Sequence, residues 1–248
     1  MKDFILEGCV DSVQSAILAT ENGANRLELC GNLIIGGTTP GVHLYQEVKK
    51  HCNNKLHVLI RPRFGDFCYA EHEYKIMEEE VRMFETLGAD GIVIGILRPD
   101  GTLDLERMSR LVRLAGSMSV TLSRAFDVCC NPYEALTQAK SIGIHSILTS
   151  GQANHCLEGK ELLRDLVQQA AGEIDILVGS GVDSSAIKEL YEATHATSYH
   201  MTGKVVLDSR MLYRKKDVPM GLPSLSEYEI WQTDGTKIRA AREVLEQL

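Results

Sequence analysis

Residues 4–30 read FILEGCVDSVQSAILATENGANRLELC. A short apolar run opens the stretch and another closes it. Each carries a glutamate followed two positions later by a cysteine, Glu7 and Cys9, then Glu28 and Cys30. Such runs read as strands, and the longer segment between them, entered through a polar loop, reads as a helix. The alternation continues along the chain, with strands expected to start near Phe4, Arg26, Leu56, Gly91, Ser119, Ser146, Asp175 and Ser198. Successive starts lie roughly 22 to 35 residues apart, the length of one strand, one helix and two loops. Tyr74, Met77, Val81 and Phe84 recur at helical spacing, as do Leu105, Met108, Val112 and Ala115. Thr39 before Pro40 and Asn131 before Pro132 read as N-cap and first-turn pairs, the second with Glu134 at the capping-box position.

Eight strand-helix repeats without a linker predict an α/β fold, a single (β/α)8 TIM-type barrel domain over residues 1–248. A doubly wound sheet is the alternative, and the lack of a GxGxxG after the first strand argues against its dinucleotide-binding members. Lys204 to Thr233 has no clear period and is expected to form a long irregular segment after the eighth strand. Asp234 then caps a last helix with Ile238, Ala241, Leu245 and Leu248 on one face.

The composition narrows the function. With 44% apolar and 24% charged residues, the chain falls outside the disordered, collagen-like and small disulfide-rich classes. A net charge of -8 offers no basic field to a nucleic acid backbone or an anionic membrane surface, so neither is expected as a partner. No stretch approaches the ~20 apolar residues of a membrane span, and Met1, Lys2 and Asp3 lead into Phe4 without a secretory apolar region. A cytoplasmic location is therefore expected. Seven cysteines without a CxxC pair predict free thiols, and any metal site must be assembled from distant parts of the chain.

In a closed barrel one face of each strand meets apolar helices and the other faces the lumen, so a charged residue marks the inward face. Glu7 accordingly turns Ile5 and Cys9 inward and sends Leu6, Gly8 and Val10 toward the helices. Glu28 brings Cys30 inward, which puts two thiols on neighbouring strands at the C-terminal mouth, where barrel enzymes keep their chemistry. Arg61 and Arg63, of one parity, are read as facing the two acids from the third strand. Arg124 and Asp127 lie three apart and cannot both point inward from one strand, so the fifth strand is expected to end or bulge near Ala125. The turn LVGSGV, with Gly179 and Gly181 ahead of a helix opened by Asp183 and Ser184, and the eighth strand's His200, mark a possible anion cradle. Each feature also has a purely structural reading: a paired ion network for the charges, small buried apolar groups for the cysteines, a tight turn for the glycines.

Four segments carry a resemblance: ELCGNLIIGGTTPG from Glu28, IRPRFGDF from Ile60, VTLSRAFD from Val120 and ILTSG from Ile147. In this order they resemble the signature segments of the copper homeostasis protein CutC family, and the likeness runs from CVDS at Cys9 to TDGTKIR near the end. The resemblance implies a TIM-type barrel, a cytoplasmic location, homo-oligomers, and Cu(I) bound by two cysteines, which fall on Cys9 and Cys30. Four places depart from the family pattern, one of them Met201 to Lys204, which replaces the usual small-residue segment after His200. Ser123 stands where a histidine is common, Phe64 where glycine is common, and Gly179, Ser180 and Gly181 where three glycines are common. The lost histidine removes one ligand or general base.

Two functions are weighed. In the first, Cys9 and Cys30 thiolates hold Cu(I), a soft ion suited to sulfur, with Arg61 and Arg63 nearby favouring thiolate and Cys68, Met201 or His200 as a third contact. In the second, an enzyme acts on a small anionic substrate, phosphorylated or carboxylated. Glu7, Glu28, Arg124 and Asp127 would then serve as catalytic groups, and Arg61, Arg63, Gly179, Gly181 and His200 as the binding groups.

Overall fold

The computed structural model describes residues 4–218, 220–222 and 224–248. Met1, Lys2 and Asp3, read above for export signals, lie outside them, as do positions 219 and 223 within the expected irregular segment. Eight parallel strands, β1 (Ile5–Val10), β2 (Arg26–Leu29), β3 (Lys55–Leu59), β4 (Gly91–Ile94), β5 (Ser119–Leu122), β6 (Ser146–Thr149), β7 (Asp175–Val178) and β8 (Ser198–Met201), pair in chain order. The ring closes through β1 and β8, where Glu7 lies opposite His200. Helices α1 (Val13–Glu21), α2 (Val42–His51), α3 (Glu71–Thr86), α4 (Leu105–Leu114), α5 (Pro132–Ser141), α6 (Lys160–Ala170) and α7 (Ser184–Thr194) connect successive strands. After β8 come β9 (Lys204–Asp208), β10 (Glu229–Thr233) and α8 (Gly235–Glu246). The alternation read from the sequence is therefore the closed barrel, with each strand starting within one residue of its expected position.

The core divides as strand parity requires. Leu6, Val10, Leu27, Leu29, Val58 and Ile92 belong to the large apolar layer between strands and helices, together with the expected Met77, Val81 and Phe84 of α3. Cys9, Cys30, Leu59 and Val93 form a separate buried cluster on the other face, inside the barrel, with Leu33 packed against it. Burying a leucine or phenylalanine side chain contributes about 1.5–3 kcal/mol, so a register slip that reversed these faces would forfeit the outer layer.

Two local expectations are corrected. Gly41, not Thr39, precedes the first residue of α2. Thr39 Oγ1 instead accepts the Arg61 N–H at 2.9 Å and donates to Glu80 Oε2 at 2.7 Å, so its hydroxyl ties three segments together. Lys204 to Thr233 is also bounded by structure, because β9 and β10 pair antiparallel from Lys204 opposite Thr233 to Asp208 opposite Glu229. Both strands are largely exposed and paired only with each other, so no one-sided apolar alternation marks them. Asn131, Asp183 and Asp234 cap their helices as read.

Candidate metal centre at the barrel mouth

β1 and β2 run side by side with Cys9 opposite Glu28, which brings Cys30 one step further toward the mouth on the same face. Cys9 Sγ donates to Glu28 Oε1 at 3.6 Å, and Cys30 Sγ donates to the Val10 carbonyl at 3.6 Å. Both cysteines are buried, and all seven cysteines are unpaired. His200 reaches in from β8, and one ligand atom each from Cys9, Glu28 and His200 lie within 4.8 Å of one another, close enough for a single ion. Its Nδ1 is 2.7 Å from Glu7 Oε1, while the other Glu7 oxygen pairs with Arg26.

Electrostatics follow from burial. Burial pushes the Glu7 carboxyl up, but Arg26 and His200 beside it outweigh this and hold it at about 2. Glu28 lies above the usual carboxylate range, mainly through burial, helped by Glu7. The Cys9 thiol is pushed well up by Cys30 beside it, by burial and by the Glu28 and Glu7 carboxylates. Burial lowers His200, yet its contacts with Glu7 and Glu28 outweigh this and raise it. The cluster is thus a protonated thiol among paired charges, ready to exchange protons for a cation.

The arginines stand elsewhere. β3 ends at Leu59, so Arg61 and Arg63 lie beyond the strand and do not face Glu7 or Glu28 as the parity reading expected. The Arg61 guanidinium donates to the carbonyls of Gly36 and Gly37, both at 3.1 Å, and of Gly65 at 2.8 Å. Arg63 holds Glu73 at 2.6 Å and Asp66 at 2.9 Å. Neither is among the groups that act on the Cys9 thiol, where Cys30, burial and the carboxylates together hold the proton on. What Arg61 does hold is the glycine turn over the site. Gly37 has φ +82°, and a Cβ there would lie 2.8 Å from Leu59 and 3.4 Å from Cys30 Sγ, so this turn closes directly on the thiol.

β5 ends at Leu122, and a short 3-10 helix, Arg124–Val128, follows, as the spacing of Arg124 and Asp127 required. Asp127 accepts from Arg124 Nε at 2.7 Å, Thr149 Oγ1 at 2.5 Å and the Ser150 amide at 3.0 Å, tying this helix to the end of β6. Ser123 packs against Gly95 and receives the Ala125 N–H. At the expected anion cradle, Asp183 already accepts the Ser185 and Ala186 N–H groups, at 2.8 and 2.9 Å. Gly179 lies against Leu148 and Gly181 against His155. Met201 is buried in the outer layer and Cys68 packs against it, so of the three further contacts considered only His200 reaches Cys9. Arg26 and His57, not singled out from the sequence, share the inward face of β2 and β3; Arg26 stands two positions before Glu28, the same parity signal that marked Glu7 and Cys9.

The fold and mouth define a closed parallel (β/α)8 barrel whose interior carries thiol, carboxylate and imidazole donors. The CutC family model matches residues 4–205, and the chain belongs to the CutC family. It is 40% identical over 242 residues to the family protein CutC of Histophilus somni, covering 98% of this chain and 99% of that one. It is also 40% identical over 237 residues to the copper homeostasis protein cutC homolog of Mus musculus, covering 95% and 87%. Among solved structures, CutC of Streptococcus agalactiae superimposes with a TM-score of 0.77 at 28% identity, covering 81% of this chain and 99% of that one.

Proposed function

We propose that this protein handles copper by binding Cu(I) through Cys9 and Cys30 inside the barrel mouth, beneath the Gly36–Gly37 turn. The observation that carries the reading is the buried pair of cysteines on adjacent strands, with no disulfide and with apolar Leu59 and Val93 around them. Two sulfur donors with Leu59 and Val93 packed beside them match a soft monovalent ion that accepts low coordination numbers. Glu28 and His200 reach Cys9 and supply the remaining donors. Because Cys9 is held protonated, uptake releases a proton, and affinity rises with pH. Free thiols accord with a reducing compartment, and we assign the protein to the cytoplasm. Among the described residues no helix is long and apolar enough to cross a membrane.

The small-anion enzyme reading draws less support. Arg61, Arg63 and Arg124 hold backbone carbonyls and neighbouring carboxylates, and the α7 N-terminus is already capped by Asp183. A Cu(I) competition titration tests the copper reading. Wild type should bind stoichiometrically, and the Cys9→Ser, Cys30→Ser double variant should lose on the order of 100-fold or more, equivalent to about 2.7 kcal/mol. Equal affinity in the two proteins sinks the proposal.

A further inference from the structure

The opposite end of the barrel carries a second polar constellation, which shares Arg26 with the mouth through its Glu7 partner. A cleft at the N-terminal ends of the strands is lined by Arg26, Lys55, His57, Asp90, Ser119 and His145. In barrels of this architecture that end ordinarily serves stability rather than ligands. Here its donors are largely uncommitted. His145 Nδ1 accepts the Val120 N–H at 3.1 Å, so its proton sits on Nε2, which meets no acceptor among the described residues. Arg26 gives only Nε to Glu7, and its Nη2 is buried without a partner. His57 lies over Gly91, where a Cβ would come within 2.6 Å of the ring, and its Nδ1 is likewise buried and unpartnered. Arg26 and His57 are only 6% and 2% exposed, so these are built groups and not chance surface side chains. A buried donor without an acceptor is destabilising, and a bound acceptor recovers that cost.

Two of the acids around the cleft are already engaged. Asp90 accepts from Lys49 at 2.9 Å and from the Leu56 amide at 3.0 Å, and Glu7 is shared between Arg26 and His200. Asp175 on β7, near enough to act on Arg26 through space, accepts from Ser198 at 2.9 Å through Oδ1, while its Oδ2 is buried without a partner. Lys55 is exposed, and among the described residues no carboxylate pairs with it. Donors from β2, β3 and the approach to β6 therefore converge on the cleft, with the Lys55 ammonium exposed among them. We propose that this cleft binds a small oxyanion, a carboxylate or phosphate group held between Arg26, Lys55 and His145.

The test titrates the isotope-labelled full-length protein with inorganic phosphate and, separately, with succinate, and follows its amide signals by NMR. The expected result is saturable shifts clustered at positions 25–26, 55–57, 90, 117–119 and 145, with affinity reduced about tenfold or more in Lys55→Gln, His145→Gln. Both side chains are exposed, so this variant keeps the buried Arg26–Glu7 pair and should fold. Saturation by phosphate alone or by succinate alone supports the site and tells the two sources apart. Shifts that fail to saturate with either anion, or that persist unchanged in the double variant, overturn it.

Discussion

The first two strands and the loop after the third use charge differently. On β1 and β2, Glu7, Arg26 and Glu28 sit inside the barrel, each at most 6% exposed, where water cannot screen them. In the loop, Arg61 and Arg63 lie at the rim and spend their donors on carbonyls and half-exposed carboxylates. The interior carboxylates help set protonation at the Cys9 thiol, while the rim group sets the shape of the turn above it. Charge in the first region should therefore be costly to disturb, and charge in the second should act mainly through the loop it holds.

The sharpest way to break this comparison is Arg26→Met, which leaves Glu7 buried with His200 as its one remaining side-chain partner. We expect a loss of about 3–5 kcal/mol in urea unfolding; a loss below 1 kcal/mol would show that the interior pair is not special. Next in size is the pH response of His57, whose pKa burial lowers to about 4. The unfolded chain takes up the proton near pH 6.5 and the folded one only near 4, so stability should fall as pH drops between those values. The slope is up to about 1.4 kcal/mol per pH unit, and His57→Gln should flatten it in denaturant titrations.

Gly37→Ala comes third. It adds a Cβ to a left-handed residue and against Leu59, and should cost about 2 kcal/mol while also weakening Cu(I) binding. Retained affinity would mean that the turn does not matter to the thiols. The smallest effect belongs to Arg61→Ala. Losing its three partly exposed bonds should cost about 1 kcal/mol in stability and speed Cu(I) release, read by stopped-flow transfer to a chelator, with the cysteine ligands intact.

The contrast also explains what could be read in advance. Residues 4–30 were sufficient to place Cys9 and Cys30 together, because side-chain direction alternates along a strand and one charged residue sets the phase. The same rule misled at Arg61 and Arg63, because β3 had already ended at Leu59 and a loop has no fixed alternation. Arg26 obeyed the rule yet went unread, since it opens its strand and its partner Glu7 lies on another. The Thr39 cap was misread for a related reason: a threonine before proline suits a helix start, but its hydroxyl was drawn to Arg61 and Glu80, which are distant in sequence.

Local chain chemistry alone determined the eight repeats, the barrel, the inward pair of thiols and membership in the CutC family, since each depends on periodicity or on contiguous motifs. Only the folded molecule decided that His200 joins Cys9 and Glu28, that Arg61 clamps a glycine turn over Cys30, and that the far end of the barrel gathers unpartnered donors. Those arrangements depend on ring closure between β8 and β1 and on where loops fold back, and both bring together residues too far apart in the chain for any local pattern to connect.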